Sequence, residues 1–108
     1  MFDAIASPVR REILDLLRAG ARPVHELAAS FTMTRPAVSQ HLRVLRDAGL
    51  VTEARSGRMR VYQLDAGPLR DVAAWTAHYE DFWRTRALRL SELLAEQDEQ
   101  DNQDEGER

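Results

Sequence analysis

The chain has 108 residues, of which 44% are hydrophobic, and it contains no cysteine. This length suits one small domain with a limited core, and the lack of cysteine excludes disulfide bonds, thiolate metal ligands and thiol redox chemistry. No segment approaches the roughly 18 apolar residues of a membrane span, and the N-terminus lacks the pattern of a secretion signal. We therefore expect a cytoplasmic protein that does not contact a membrane.

The net charge of −3 is the sum of the charges of two unlike regions. Residues 1–95 carry 14 arginines against 11 acidic residues, a net charge of +3, whereas residues 96–108 carry seven acidic residues and one arginine, a net charge of −6. The terminal segment has no aliphatic or aromatic residue, which predicts disorder. We therefore divide the chain into one domain, residues 1–96, and an acidic disordered tail, residues 97–108.

The first part of the chain has helical patterns. After a short apolar segment at residues 2–6, the pair Ser7 and Pro8 predicts the start of a helix that Gly20 ends. A shorter helix is predicted over residues 24–30. A three-residue turn then leads into a longer helix, so this region is predicted to be a helix-turn-helix.

The longer helix has well-marked ends and a polar outer face. Thr34 suits the N-cap, Pro36 the first turn and Gly49 the C-terminal stop. Apolar residues recur at i, i+4 and i+7 and predict one buried face: Val38, Leu42 and Leu45. The other face carries a hydroxyl, an amide and a guanidinium, groups that hydrogen-bond base edges and phosphates in a major groove. We expect these residues to bind double-stranded DNA: Thr34, Arg35, Pro36, Ser39, Gln40 and Arg43.

After Gly49 the pattern changes from helical to extended. Residues 50–55 and 59–64 are two strand-like runs separated by Ser56-Gly57-Arg58, which predicts a β-hairpin. A hairpin after a helix-turn-helix is a wing, whose tip arginines can reach phosphates or a minor groove: Arg55, Arg58 and Arg60. Residues 35–60 hold six arginines against two acidic residues, which supports this interpretation. The alternative is an edge hairpin whose charge prevents aggregation.

A long helix is predicted from Pro68 to about Glu96. Four of the seven aromatic residues of the chain lie within nine consecutive positions of this helix. This is more than the small N-terminal part of the chain, its head, needs for its own core. An aromatic stripe suits a subunit interface, so we expect a homodimer that uses these residues: Phe2, Ile5, Trp75, Tyr79, Phe82, Trp83 and Leu90. A two-fold dimer sets two recognition helices about one DNA turn apart, roughly 34 Å. The alternative is that the stripe folds onto its own head.

The predicted fold is thus mainly α with a small β-hairpin: a winged helix-turn-helix with a long C-terminal dimerisation helix. From Phe2 to about Ala95 the sequence resembles the ArsR/SmtB group of bacterial winged-helix repressors. The resemblance is carried by SPVRREILDLLRAG, by VHELAASFTMTRPAVSQHLRVLRDAGLV and by SGRMRVYQLD. The ending AWTAHYEDFWRTRALRLSELL further resembles a branch with a tryptophan-rich last helix and no recognised metal ligands.

The resemblance implies a homodimer that binds a pseudopalindromic operator and represses transcription of its own operon. It also implies roles for matching positions. Ser39, Gln40 and Arg43 would lie at the major groove, His41 near the DNA backbone, and Arg58 and Arg60 on the wing.

Several alternatives remain at this point. Metal sensors of the group use cysteines near the recognition helix or several histidines on the last helix, whereas here only His78, Glu80 and Asp81 are available, so we expect no metal and no other cofactor. A metal-responsive sensor and a winged-helix module that contacts only proteins stay as alternatives. No nucleophile lies next to a base, so we expect no enzyme. A small-molecule effector between the long helices is left open, because aromatic side chains line such pockets.

Overall fold

The computed structural model describes residues 1–106, and side chains for residues 1–100. It divides into two compact units, Met1–Arg70, here called the head, and Asp71–Arg108. The elements follow one another in this order: α1 (Phe2–Ala6), α2 (Pro8–Leu17), β1 (Arg22–Pro23), α3 (Val24–Ala29), α4 (Arg35–Asp47), β2 (Val51–Ser56), β3 (Met59–Leu64) and α5 (Leu69–Gly106). Among the described residues, none of the helices combines the length and the apolar character of a bilayer-spanning segment.

The predicted starts of α2 and α4 are confirmed by their capping bonds. The Ser7 hydroxyl accepts a hydrogen bond from the Arg10 backbone N–H at 3.3 Å, and the Thr34 hydroxyl accepts one from the Ala37 N–H at 3.4 Å. After α4, Gly49 has a φ of 79°, a conformation that glycine adopts without steric cost. The ends of α4 are therefore set by local sequence.

The core of the head forms where the apolar faces of its helices meet. Leu42 and Leu45 of α4 are fully buried, as is Leu27 of α3. The remaining buried apolar residues come from α1, α2, α4, the start of β2 with the residue before it, and β3: Ala4, Ile13, Leu14, Leu17, Val38, Leu50, Val51 and Tyr62. This packing fixes α4 with its polar side outward, which confirms the predicted buried face.

The wing is a hairpin within a three-stranded antiparallel sheet of order β1-β3-β2. The predicted hairpin is confirmed, but its loop is shorter than the predicted three residues, because Ser56 pairs with Met59 and leaves only Gly57 and Arg58 unpaired. Gly57 has a φ of 63°, which suits a tight two-residue turn. The strand β1 was not predicted, since two residues are too short to show an alternating pattern.

The C-terminal helix α5 is longer than predicted. We expected an end near Glu96, and this boundary is wrong because the helix continues to Gly106. Between Gln97 and Glu105, five of the nine residues are glutamine or glutamate, which have good helix propensity, and four are aspartate or asparagine, which have lower propensity. No glycine or proline occurs within α5 before Gly106. The division into a domain and an acidic tail stays a prediction, and residues 107–108 lie outside the described residues.

Candidate nucleic-acid interface

The polar face of α4 lies on the solvent side of the head. Arg35, Pro36, Gln40 and Arg43 are exposed, and Ser39 is half-buried. The Thr34 hydroxyl is engaged in capping α4, so this residue acts first as a structural cap. The remaining groups have the chemistry of a DNA-reading helix, because they offer donors and acceptors at its N-terminal half.

Two grooves run between α4 and the wing and bring the predicted residues together. The first, here called the helix groove, has a volume of about 250 Å³ and is lined by Pro36, Ser39, Gln40, Arg43, Arg46, Arg60 and Tyr62. The second, the wing groove, has a volume of about 360 Å³ and is lined by Pro23, Val24, His25, Arg35, Ser39, Arg58, Met59 and Arg60. Ser39 and Arg60 line both grooves, so the helix and the wing form one continuous polar surface.

Arg55 lies beside this surface without lining either groove. It is the direct cross-strand partner of Arg60, so the two side chains leave the same face of the hairpin. Like charges placed directly opposite each other repel. The Glu53 carboxylate on the same face of the hairpin accepts hydrogen bonds from Arg60 and offsets part of this repulsion.

Glu53 of β2 joins α4 to the wing through an ion network. Its carboxylate accepts hydrogen bonds from Arg46 Nη1 at 2.7 Å, from Arg60 Nε at 2.7 Å and from Arg60 Nη2 at 3.2 Å. The Arg60 guanidinium above all, together with that of Arg46, holds the pKa of the Glu53 carboxyl below its usual value. Glu53 is thus a carboxylate at neutral pH. Burial and the Glu53 carboxylate raise the pKa of Tyr62, so its hydroxyl stays protonated.

The role of Glu53 was missed in the sequence, where it counted only as an isolated acid among arginines. In the observed register Glu53 faces Tyr62, so Arg60 is its diagonal neighbour on the same face of the sheet. A three-residue loop would shift the register by one residue and turn Arg60 to the opposite face. A two-residue loop formed by Gly57 and Arg58 was the sequence signal that could have revealed the pairing of Glu53 with Arg60.

His41 contacts α2 instead of the grooves. Arg10 Nε donates a hydrogen bond to His41 Nδ1 at 3.2 Å, and Arg10 Nη1 donates to the Asp3 carbonyl oxygen at 2.8 Å. Because a guanidinium only donates, Nδ1 must be the acceptor and the proton of the neutral ring lies on Nε2. His41 is half-buried, and its role at the DNA backbone stays a prediction.

The second predicted site, the aromatic stripe, lies on α5. Trp75, Tyr79, Phe82 and Trp83 are each between 41% and 55% exposed, and Leu90 is 59% exposed. Within the stripe the rings of Trp75 and Tyr79 meet edge to face at 5.4 Å, and those of Tyr79 and Trp83 stack at 6.3 Å. They form a continuous aromatic ridge along one side of the helix.

The two predicted interface residues of the head differ in their surroundings. Phe2 is 58% exposed, whereas Ile5 is half-buried and packs against the core of the head. Ile5 therefore already has a structural role within one chain.

A metal site is not formed by the side chains that the structure describes. Over residues 1–100, no three histidine, aspartate or glutamate side chains lie close enough together to hold one ion. His78, the histidine considered from the sequence, has its Nδ1 atom 3.1 Å from the Trp75 carbonyl oxygen.

Comparisons with known proteins agree with this architecture. A model of the bacterial regulatory protein arsR family matches residues 7–53. An HTH-type transcriptional regulator of Mycobacterium tuberculosis is 46% identical over 87 residues, which are 81% of this chain and 78% of that protein. The transcriptional repressor SdpR of Bacillus subtilis is 34% identical over 79 residues, 73% of this chain and 88% of that protein. A solved structure described as a possible transcriptional regulator for arsenical resistance superimposes with a TM-score of 0.69 at 41% identity, over 79% of this chain and 91% of that one.

Proposed function

Because the chain belongs to the arsR family of bacterial regulatory proteins and is a DNA-binding transcriptional regulator, not an enzyme, we propose that it acts as a homodimeric repressor of its own operon. It binds a pseudopalindromic operator in the cytoplasm, where bacterial DNA is found. The observation that carries this proposal is the convergence of the α4 face and the wing arginines around Ser39 and Arg60.

In this proposal α4 is the recognition helix and enters the major groove. Arg43 suits a bidentate contact with guanine, and Gln40 suits one with adenine. The Ser39 hydroxyl can hydrogen-bond to either base. Arg58 and Arg60 bind phosphates beside the major groove, with Arg55 next to Arg60. The Nε2–H of His41 can donate a hydrogen bond to a phosphate oxygen, which agrees with a position of His41 near the DNA backbone.

Dimerisation through α5 supplies the symmetry that a pseudopalindromic operator requires. The tryptophan and phenylalanine side chains of the stripe are half-exposed. Aromatic side chains are enriched at protein–protein interfaces and contribute much of the binding energy there. Phe82, Arg86, Leu90 and Leu93 border an open apolar groove of about 750 Å³ along the helix. A partner helix packed there would cover it, and a small apolar effector is the alternative occupant.

We expect Arg43→Ala to weaken binding to the specific duplex by about 1–3 kcal/mol and to relax base preference at one position of each half-site. The reason is that a bidentate guanidinium contact discriminates bases. Fluorescence anisotropy measures this effect on two duplexes of equal length, one selected by the wild-type chain from a random pool and one shuffled.

Arg18→Ala is the matched control for Arg43→Ala, because Arg18 is exposed at the C-terminal end of α2 and lines neither groove. It removes the same charge without touching the recognition helix. Equal losses on the selected and the shuffled duplex for Arg43→Ala would refute base reading by this residue.

We expect Arg58→Ala to weaken binding to all DNA to a similar extent, because a phosphate contact carries no sequence information. The slope of log Kd against log salt should fall by about one per protomer. Anisotropy titrations across a salt series measure this slope. An unchanged slope would show that Arg58 does not contact DNA phosphate.

A selection that enriches no sequence would refute the repressor proposal as a whole. It would favour the winged-helix module that contacts only proteins. Metal-responsive regulation is tested in the same assay by adding Zn²⁺, which should leave the affinity unchanged if the protein has no metal site.

A further inference from the structure

Glu53 is the one acidic side chain among the described residues that bonds to both the recognition helix and the wing. Its partners are Arg46 in the last turn of α4 and Arg60 in β3, while Glu53 itself lies in β2. Both partners line the helix groove together with Ser39, Gln40 and Arg43. Three separate elements are therefore joined at the edge of the surface that the proposed function assigns to DNA.

The geometry leaves both arginines with donors to spare. A guanidinium has five N–H donors, and Glu53 uses the Nε and Nη2 groups of Arg60 and the Nη1 group of Arg46. Among the side chains of residues 1–100, neither guanidinium makes a further hydrogen bond, and the Arg60 guanidinium also lies over the Tyr62 ring, 6.0 Å from its centroid. Each can therefore bind the carboxylate and a phosphate at the same time.

The position of Glu53 is difficult to explain as a simple surface ion pair. The side chain is 17% exposed, against 43% for Arg46 and 44% for Arg60, so the carboxylate lies deeper than its partners. An exposed ion pair adds little to stability, and a negative charge beside DNA weakens binding by repulsion. A carboxylate at this place is useful if it holds the arginines in a defined geometry.

We propose that Glu53 is a positioning residue that holds Arg46 and Arg60 at fixed places on the rim of the helix groove and couples the wing to the recognition helix. This inference rests on the proposed DNA-binding function. Because Glu53 links the two elements, the contact of the wing residue Arg60 with a DNA phosphate also sets the depth and angle at which Ser39, Gln40 and Arg43 meet the bases. Glu53 thus acts on specificity more than on total affinity.

The test compares Glu53→Gln with Asp47→Asn on the selected and the shuffled duplex. Both variants remove one negative charge, but Asp47 is exposed at the end of α4 and has no bonded partner among the described side chains. Asp47→Asn should tighten both duplexes equally. Glu53→Gln should weaken the selected duplex by about tenfold and leave the shuffled duplex equal or tighter, because one charge-assisted contact is misplaced.

The ratio of the two affinities is the decisive quantity, since loss of charge alone does not change it. If Glu53→Gln raises the affinity for both duplexes equally, as Asp47→Asn does, Glu53 affects DNA binding only through its negative charge and the inference is wrong. If the wild-type chain itself prefers neither duplex, the proposed repressor function has failed first. The two failures are therefore distinguishable.

Two further variants keep the result independent of folding. Glu53→Asp keeps the charge but shortens the side chain, and it should also lower the affinity ratio. In an Arg46→Ala/Arg60→Ala background, Glu53→Gln should change the ratio no further, because the residues through which Glu53 acts are gone. An additional loss in that background would overturn the positioning role, and thermal melting by circular dichroism confirms that each variant is folded.

Discussion

Replacing Leu42 by alanine is expected to lower the free energy of unfolding by about 2–5 kcal/mol. Leu42 is fully buried in the core of the head, between α4 and its neighbours. The substitution removes three carbon atoms from a packed site, so the protein loses both hydrophobic transfer energy and the contacts around the cavity. Urea denaturation followed by circular dichroism at one protein concentration measures the change.

Leu88→Ala is the matched control for this prediction, because the same atoms are removed from a side chain that is 61% exposed. Its effect should stay within about 0.5 kcal/mol, as for most surface positions. Equal losses for the two variants would mean that α4 is not anchored by the core of the head. The DNA-reading face would then lack the rigid support on which the proposed function depends.

The fold of the head could be predicted because its signals are local. The cap at Thr34, the apolar spacing of Val38, Leu42 and Leu45, and the stop at Gly49 each act within a few residues. The sheet was less predictable. The two residues of β1 pair with β3 across almost 40 positions of sequence, a non-local contact that leaves no periodic pattern.

The sequence could indicate which side chains share the outer face of α4 or lie on the hairpin, but it could not indicate how those side chains are connected to one another. Helical periodicity placed Ser39, Gln40 and Arg43 on one face, and the hairpin placed Arg58 near its tip. The convergence of these groups on Arg60, and the Glu53 network, depend on the register of the hairpin. That register follows from the loop length, and an error of one residue moves every side chain to the other face.

The length of α5 shows a different limit of sequence reasoning. The helix was predicted to end near Glu96 because the acidic residues that follow lack the apolar side chains that support a packed element. Helix formation depends on backbone hydrogen bonds and helix propensity as well as on packing, and in the structure the helix continues to Gly106. A composition rule about cores therefore placed the end of a helix too early.

Trp83→Ala is expected to weaken dimerisation by about 2–4 kcal/mol, which corresponds to roughly 30- to 1,000-fold in the dimer dissociation constant. Trp83 is 55% exposed in the single chain and stacks on Tyr79, so it is available as a large and oriented anchor. Alanine removes the indole from the proposed interface and also the neighbour that orients Tyr79. Analytical ultracentrifugation across a concentration series measures the dissociation constant directly.

The same control, Leu88→Ala, separates dimerisation from a general effect on α5. Leu88 lies five residues beyond Trp83, about 140° around a helix of 3.6 residues per turn, so it faces away from the aromatic ridge. The dissociation constant should not change in this variant. Operator binding should fall in Trp83→Ala at protein concentrations where it is monomeric and recover where the dimer forms, because two half-sites bound by one dimer are engaged together. An unchanged dimer in Trp83→Ala would place the subunit interface elsewhere on the chain.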